Sequence, residues 1–355
     1  MNTIQQIAQE AITLLMRLIA IPSVSRNETE AADLIETYLR ECGAEPKRQG
    51  CNVWCEQLSL ADDHRPTLLL NAHIDTVRPA ATWEHAPFQP TLEDGKLYGL
   101  GANDCGGGLV SLMHVFLHLR HRTDLPYRLI FLASAEEEVS GKEGIESVLP
   151  RLPHIDVALV GEPTGMQPAI AEKGLMVLDC TAHGRSGHAA RNEGVNAIYE
   201  ALPDIEWFRT FRFPKQTPLL GPVKMSVTMV EAGTQHNVVP DECRFVVDIR
   251  ANECYTNEEI LDEVRRHIKC DAIPRSTRLH SSRIDPEHPL IRAAVALGRE
   301  PFGSPTLSDQ ALMRFPSFKM GPGNSARSHT ADEYIRPTEI EEAIGIYLHM
   351  LQAIK

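Results

Sequence analysis

The chain of 355 residues is longer than one ordinary hydrophobic core supports and fits two domains. Hydrophobic residues at 43% and charged residues at 23% are those of a globular protein in water, and a formal net charge of −13 repels phosphate backbones and anionic lipid. Nucleic acid and membrane surfaces are therefore excluded as expected partners, and small molecules stay open.

Cysteines 42, 51, 55, 105, 180, 243, 254 and 270 are scattered without paired C-x-x-C motifs and read as reduced thiols. No basic region followed by an apolar run stands at Met1, and no stretch approaches the roughly 20 apolar residues of a membrane span, so the expected location is the cytoplasm.

In chain order, Ile4, Ile7, Ala8, Ala11, Leu15 and Leu18 recur at helical spacing ahead of Pro22, and Ser25 to Cys42 repeats the pattern up to Gly43. A strand with a turn is expected over Pro46 to Leu58, then a polar turn from Asp62 to Arg65. Leu68 to Val77 follows as a buried strand running out into His73, Ile74 and Asp75. Residues two apart on a strand face the same side, so His73 and Asp75 are presented together. That suits a metal-bound imidazole held by an acid, and it also suits a solvated strand end. The proline-rich stretch Pro79 to Asp94 reads as a loop.

The run from Gly99 to Gly108 feeds an apolar helix, Leu109 to Leu119. Its glycines match neither the P-loop nor G-x-G-x-x-G, since Asp104 stands at the third glycine position. Two readings remain at this point: a backbone crowding a metal held by Asp104, or a tight turn whose Asp caps the helix. Arg128 to Ser134 is a strand that delivers Glu136, Glu137 and Glu138, either an acidic cluster compensated by cations or a solvated loop. A short helix, Gly144 to Leu149, precedes the strand Ile155 to Val160, which ends at Glu162. Strands alternating with helices predict a mostly parallel sheet flanked by helices, with its ligand site at the carboxyl ends of the strands, where these groups sit.

From Lys173 the rhythm changes. Strands at Gly174 to His183, Pro222 to Glu231, Asp241 to Ala251 and Ser276 to Ser282 interleave with helices at Gly194 to Phe211 and Thr256 to Lys269. This βαββαβ pattern predicts an inserted, ferredoxin-like α+β domain over residues 173–283. The first domain, residues 1–172, resumes over 284–355 with a helix near Leu290 to Leu297, a strand Phe318 to Met320, and a closing helix Thr338 to Ile354 after Pro337.

His73-x-Asp75, Gly101-x-x-Asp104, Glu137-Glu138, Gly161-Glu162-Pro163 and Ser328-His329, in this order and on these elements, resemble the M20 family of metallopeptidases and amidohydrolases. Within it, the chain is most similar to the group of acetylornithine deacetylase and succinyl-diaminopimelate desuccinylase. That resemblance implies two zinc ions, with cobalt as a substitute: Asp104 bridges them, His73 and Glu162 complete one site, and Glu138 and His329 the other. It implies Glu137 as general base, Asp75 behind His73, and a homodimer joined through the insert. Zinc takes imidazole and carboxylate ligands and keeps a position open for water, which suits these residue types.

By the same resemblance His188 of Gly187-His188 donates to the oxyanion in the partner's site, and Asn237, Arg250, Asn324 and Arg327 contact substrate. The alternative for Arg250 is an ordinary ion pair with Asp248 or Glu242. Members often carry a lysine where this chain has Gly106, and Cys105 beside it reads as a packed thiol. The expected reaction is hydrolysis of an N-acyl basic amino acid, N-acetyl- or N-succinyl-ornithine, in arginine biosynthesis. The alternatives are a succinyl-diaminopimelate desuccinylase, an M20 dipeptidase or carboxypeptidase, and an inactive metal-binding scaffold. For a succinyl substrate, Arg191, Arg278 or Arg327 supplies the second cationic contact.

Overall fold

The structure, a computed structural model, describes residues 3–57, 64–191 and 193–354. The expected turn at Asp62 begins outside those residues. Contacts divide the chain into two compact units, one of Met1–Ile170, Arg283–Phe302 and Ser308–Lys355, the other of Ala171–Ser282 and Gly303–Leu307.

The first unit opens with α1 (Ile4–Ile19), whose start is fixed by a reciprocal pair: Thr3 Oγ1 accepts the Gln6 N–H, and the Gln6 side chain accepts the Thr3 N–H. α2 (Thr29–Glu41) follows, then the hairpin β1 (Lys47–Gln49) and β2 (Asn52–Glu56), and then β3 (Thr67–His73). β4 (Thr91–Glu93) and β5 (Lys96–Tyr98) form a small separate sheet with Tyr334–Ile335. Asp104 thus follows a strand of this small sheet, where a strand of the main sheet was expected; the main sheet's next member, β6 (Arg128–Ser134), comes only after α3 (Gly107–Leu119). After β6 come a short helix, α4 (Ile145–Val148), and β7 (Val157–Val160).

In the main sheet β3 lies between β6 and β7, parallel to both, and Ser317–Lys319 pairs parallel on the far side of β7; β2 joins β6 antiparallel at the other edge. The fold class is mixed α/β with a mostly parallel sheet and flanking helices. The alternation of β3 explains its burial on both faces. Leu68 and Leu70 pack against α1, α3 and the last helix, Pro337–Ala353, while Leu69 faces the cluster with α4. Each of these leucines is fully buried and contributes about 1.5–3 kcal/mol.

The second unit is a four-stranded antiparallel sheet in the order 224–232, 242–251, 174–183, 271–274. Met176, Leu178, Cys180 and Ala182 alternate inward and pack on helices Ala197–Thr210 and Asn257–His267. Its last strand is Asp271–Pro274, where Ser276 to Ser282 was expected. Ala272 is the buried residue of that short edge, where Pro274 offers no N–H to its neighbour.

Candidate metal centre

Five segments of the first unit deliver acidic or imidazole side chains to one place. β3 ends at His73, whose Nδ1 bonds the main-chain carbonyl of Asp75 at 2.9 Å, leaving Nε2 to face the carboxylates. That Nε2 lies 3.2 Å from Asp104 Oδ1 and 3.7 Å from Glu162 Oε1. His329 Nε2 lies 3.0 Å from Glu138 Oε2 and 3.6 Å from Asp104 Oδ2. Asp104 thus stands between two histidines, each with its own glutamate. The five ligands expected from the sequence are gathered.

Glycine makes the approach possible. Gly108, in the first turn of α3, touches Gly161: a Cβ on Gly108 would lie 1.7 Å from Gly161 O. The helix that follows Asp104 is thereby seated against the residue before Glu162. At Gly106 a Cβ would meet Gly101 O at 2.4 Å and Leu15 Cδ1 at 2.7 Å, so this loop leaves no room for a side chain there.

Asp75 stands beside His73 and also holds the turn of Glu137 and Glu138. Its carboxylate is 3.6 Å from His73 Nδ1 and is spent on other donors: the Ser25 hydroxyl at 2.7 Å and the main-chain N–H groups of Glu137 and Glu138 at 3.0 and 3.1 Å. It orients the turn bearing those glutamates, because two amides in succession find their acceptor there.

The electrostatics call for cations. Burial pushes the Glu162 carboxyl up to about 8, with Asp104 adding to the shift, and its buried Oε1 has no hydrogen-bond partner. Glu137 is raised well above the carboxylate range by desolvation and then by Glu162, Asp309 and Glu138. The bond to Glu138 lifts His329 to about 9. Side-chain ligand atoms of His73, Asp104 and Glu138 all lie within 4.8 Å of one another, as do those of His73, Cys105 and Glu162. An orphaned buried carboxylate oxygen inside a set of imidazole and carboxylate donors fits divalent cations. The Cys105 thiol is buried; its Sγ accepts the His73 N–H at 3.2 Å, and burial pushes the thiol up, as expected of a packed thiol. All eight cysteines are free.

Sequence patterns did not point to the supports of the centre. Glu333 and Asn103 tie the Asp104 loop down. Buried Asp309 accepts the Ser134 hydroxyl at 2.6 Å, and Glu28 Oε1 accepts the N–H of Arg26 at 2.6 Å and of Glu136 at 3.3 Å. The only signal available was the polar run Thr330-Ala-Asp-Glu333 directly before the apolar pair Tyr334-Ile335.

The other expected residues fall elsewhere. Asn324 caps the short turn 325–327, its Oδ1 accepting the Ala326 N–H. Arg327 pairs with Glu339 at 2.8 Å and stacks on Tyr334. In the second unit, His188 sits on a two-stranded ribbon with Val238–Val239, and the Ala189 N–H bonds the Asn237 carbonyl at 3.0 Å. Arg250 forks onto Asp248 at 2.9 and 3.1 Å, the ordinary ion pair weighed against substrate binding.

Two histidines and three carboxylates around a cation-sized gap, beside a raised glutamate, define a metal-dependent hydrolase. A profile of peptidase family M20/M25/M40 matches residues 69–353, and the chain belongs to that family, whose members hydrolyse amide bonds with the help of metal. It is 29% identical to a succinyl-diaminopimelate desuccinylase of Corynebacterium glutamicum, covering 95% of each chain, and 25% identical to one of Halorhodospira halophila, over 96% and 97%. Aminopeptidase PepT of Bacillus cereus shares its fold, with a TM-score of 0.79, 18% identity and 98% of each chain covered. So does a Bacillus subtilis protein described as a dinuclear metal binding peptidase of the M20 family, with a TM-score of 0.75, 18% identity and coverage of 98% and 99%. These relatives favour the desuccinylase alternative over the ornithine substrates and arginine biosynthesis expected from the sequence. Among the described residues, no helix is long and apolar enough to cross a membrane.

Proposed function

We propose that this protein is a two-zinc desuccinylase that hydrolyses the amide of an N-succinyl diamino acid of the diaminopimelate type to succinate and the free amine. The observation that carries this reading is the likeness to desuccinylases across nearly the whole of both chains, supported by the convergence of His73, Asp104, Glu138, Glu162 and His329. His73 and Glu162 would hold one cation, Glu138 and His329 the other, and Asp104 both. Bound there, the cations supply a polarised amide carbonyl and a more acidic water.

Glu137 takes the proton of the attacking water and returns it to the nitrogen as the C–N bond breaks. Its raised proton affinity suits that exchange. His188 Nδ1 accepts the Ala190 N–H at 3.1 Å, so Nε2 carries the proton it would donate to the oxyanion. Arg250 would exchange Asp248 for a substrate carboxylate, and Asn237 would bind beside it. Asn324 and Arg327 border the His329 turn as further contacts, and exposed Arg191 is a candidate for the succinyl carboxylate.

A dimer through the second unit belongs to the same reading. Tyr199 (69% exposed) and Leu202 (52%) on helix Ala197–Thr210, with Met229 (65%) and Val230 (58%) on the neighbouring strand Lys224–Ala232, offer an apolar surface for it.

The test is amine release from N-succinyl-diaminopimelate, N-succinyl-ornithine, N-acetyl-ornithine and a dipeptide panel, each with zinc and after chelation. Zinc-dependent release fastest from the first supports the proposal. Release confined to the ornithine substrates or to dipeptides would sink it and assign the enzyme accordingly.

A further inference from the structure

The loop carrying Asp104 and the segment carrying His329 are laced together by two buried side chains. Glu333, 2% exposed, accepts the main-chain N–H of Asn103 at 2.7 Å and of Asp104 at 2.9 Å on Oε1, and of Gly101 at 3.2 Å on Oε2. Its own carbonyl accepts the Gly99 N–H at 3.1 Å. Asn103, fully buried, answers from the other side: its Nδ2 donates to Asn324 O at 3.1 Å and Ser328 Oγ at 3.3 Å, and its Oδ1 accepts the Asn324 N–H at 2.9 Å. Every one of these bonds joins the stretch 99–104 to the stretch 324–333.

The first amides of a helical turn have no acceptor within it, as at the start of the turn Ala102–Gly106, and buried amides left unpaired are costly. Here one carboxylate takes three of them. A carboxylate only accepts, so all of its lone pairs can face N–H donors, an arrangement an amide side chain of the same shape cannot copy.

We propose that Glu333 is the positioning residue of the centre: it fixes the backbone on which Asp104 stands relative to His329, and so sets the cation pocket those two ligands share with Glu138. The inference rests on the metal reading of this cluster. Glu333 reaches no ligand atom itself and acts through the Asp104 main chain. Removing such supports typically weakens metal affinity 10–100-fold.

The experiment is zinc binding by competition with a chromophoric chelator, run on the wild-type chain, Glu333→Gln, Asn103→Ala and the control Tyr38→Phe, which breaks a buried hydrogen bond to His114 at 2.8 Å. Thermal unfolding of each chelated protein is recorded alongside, with kcat and KM of the loaded forms. The proposal expects Glu333→Gln to bind zinc about 10–100-fold more weakly at the site of Glu138 and His329 and, through the shared Asp104, more weakly at the other site as well, with kcat lowered and KM kept. Asn103→Ala should shift the same sites in the same direction, and Tyr38→Phe should lose thermal stability without losing zinc affinity. Folded Glu333→Gln and Asn103→Ala proteins with wild-type affinity for both ions would overturn it, whatever their stability. Should Glu333→Gln fail to fold, Asn103→Ala decides alone by the same criterion. A wild-type chain that binds no zinc overturns the metal reading and this proposal together, whereas two tight sites in all four proteins overturn this proposal only.

Discussion

Glu137 and Asp75 illustrate how much a single carboxylate's surroundings decide. Glu137, raised by desolvation and then by Glu162, Asp309 and Glu138, suits the general-base role proposed for it, while Asp75 spends its oxygens on the amides of the Glu137–Glu138 turn. Glu137→Gln keeps the shape and removes the proposed base. The expected outcome is full metal content with kcat reduced about 10²–10⁴-fold, checked by metal analysis and steady-state kinetics on the same preparation. Near-normal turnover would remove Glu137 from the reaction. Asp75→Asn replaces an acceptor by a donor facing the amides of Glu137 and Glu138. A drop in kcat of similar sign is expected with the His73 site still loaded, because the bond holding His73 comes from the main chain of residue 75.

Elements place these residues by contacts too tight to vary. A methyl group at Gly108 would overlap Gly161 O, so Gly108→Ala must part α3 from the end of β7. Overpacking of this kind costs about 1–3 kcal/mol; a lower urea midpoint together with weaker binding of the cation proposed at Glu162 is the expected result, and a wild-type midpoint would contradict the close approach. α3 also contains a buried pH-sensitive group. His114 donates from Nδ1 to Val110 O at 2.7 Å and accepts the Tyr38 hydroxyl on Nε2 at 2.8 Å, and burial lowers it from 6.5 to about 4. The unfolded chain then binds the extra proton first, so stability is complete above pH 6.5 and is lost as pH falls toward 4, by up to about 3 kcal/mol. Chemical denaturation of wild type and His114→Leu across that window should show a shallower pH slope in the variant.

Across the whole molecule, the acidic centre links metal, pH and stability. Without metal, folded Glu162 keeps its proton up to about pH 8, while the unfolded chain releases it near 4.5. Stability of the metal-free protein therefore falls as pH rises through that interval, whereas cations favour the ionised ligands. The difference in Tm between zinc-loaded and chelated protein is expected to widen from pH 5 to pH 8; a gap that is constant or shrinks would contradict the cation assignment. The proposed dimer makes a second prediction at this scale. His188→Ala and Glu137→Gln, each nearly inactive alone, should recover activity when mixed as heterodimers if His188 acts in the partner's site, and proven mixed dimers without recovery would exclude that route.

The grouping of His73, Asp104, Glu138, Glu162 and His329 was expected from the resemblance of five spaced motifs; residue types and strand ends alone left the first four with alternatives and gave His329 no role. The alternating strands and helices were legible in the sequence itself: period 2 and period 3.6 are properties of a few neighbouring residues. The Asp271–Pro274 strand was displaced by a few residues, since one buried alanine on a short edge leaves almost no period to read. The N–H and hydroxyl donors to Asp75 and the grip of Glu333 on Asn103, 230 residues away, belong to the folded chain alone. A carboxylate bonding main-chain amides can serve any sequence that presents them, so nothing in the residue types announces the pair; packing selects it.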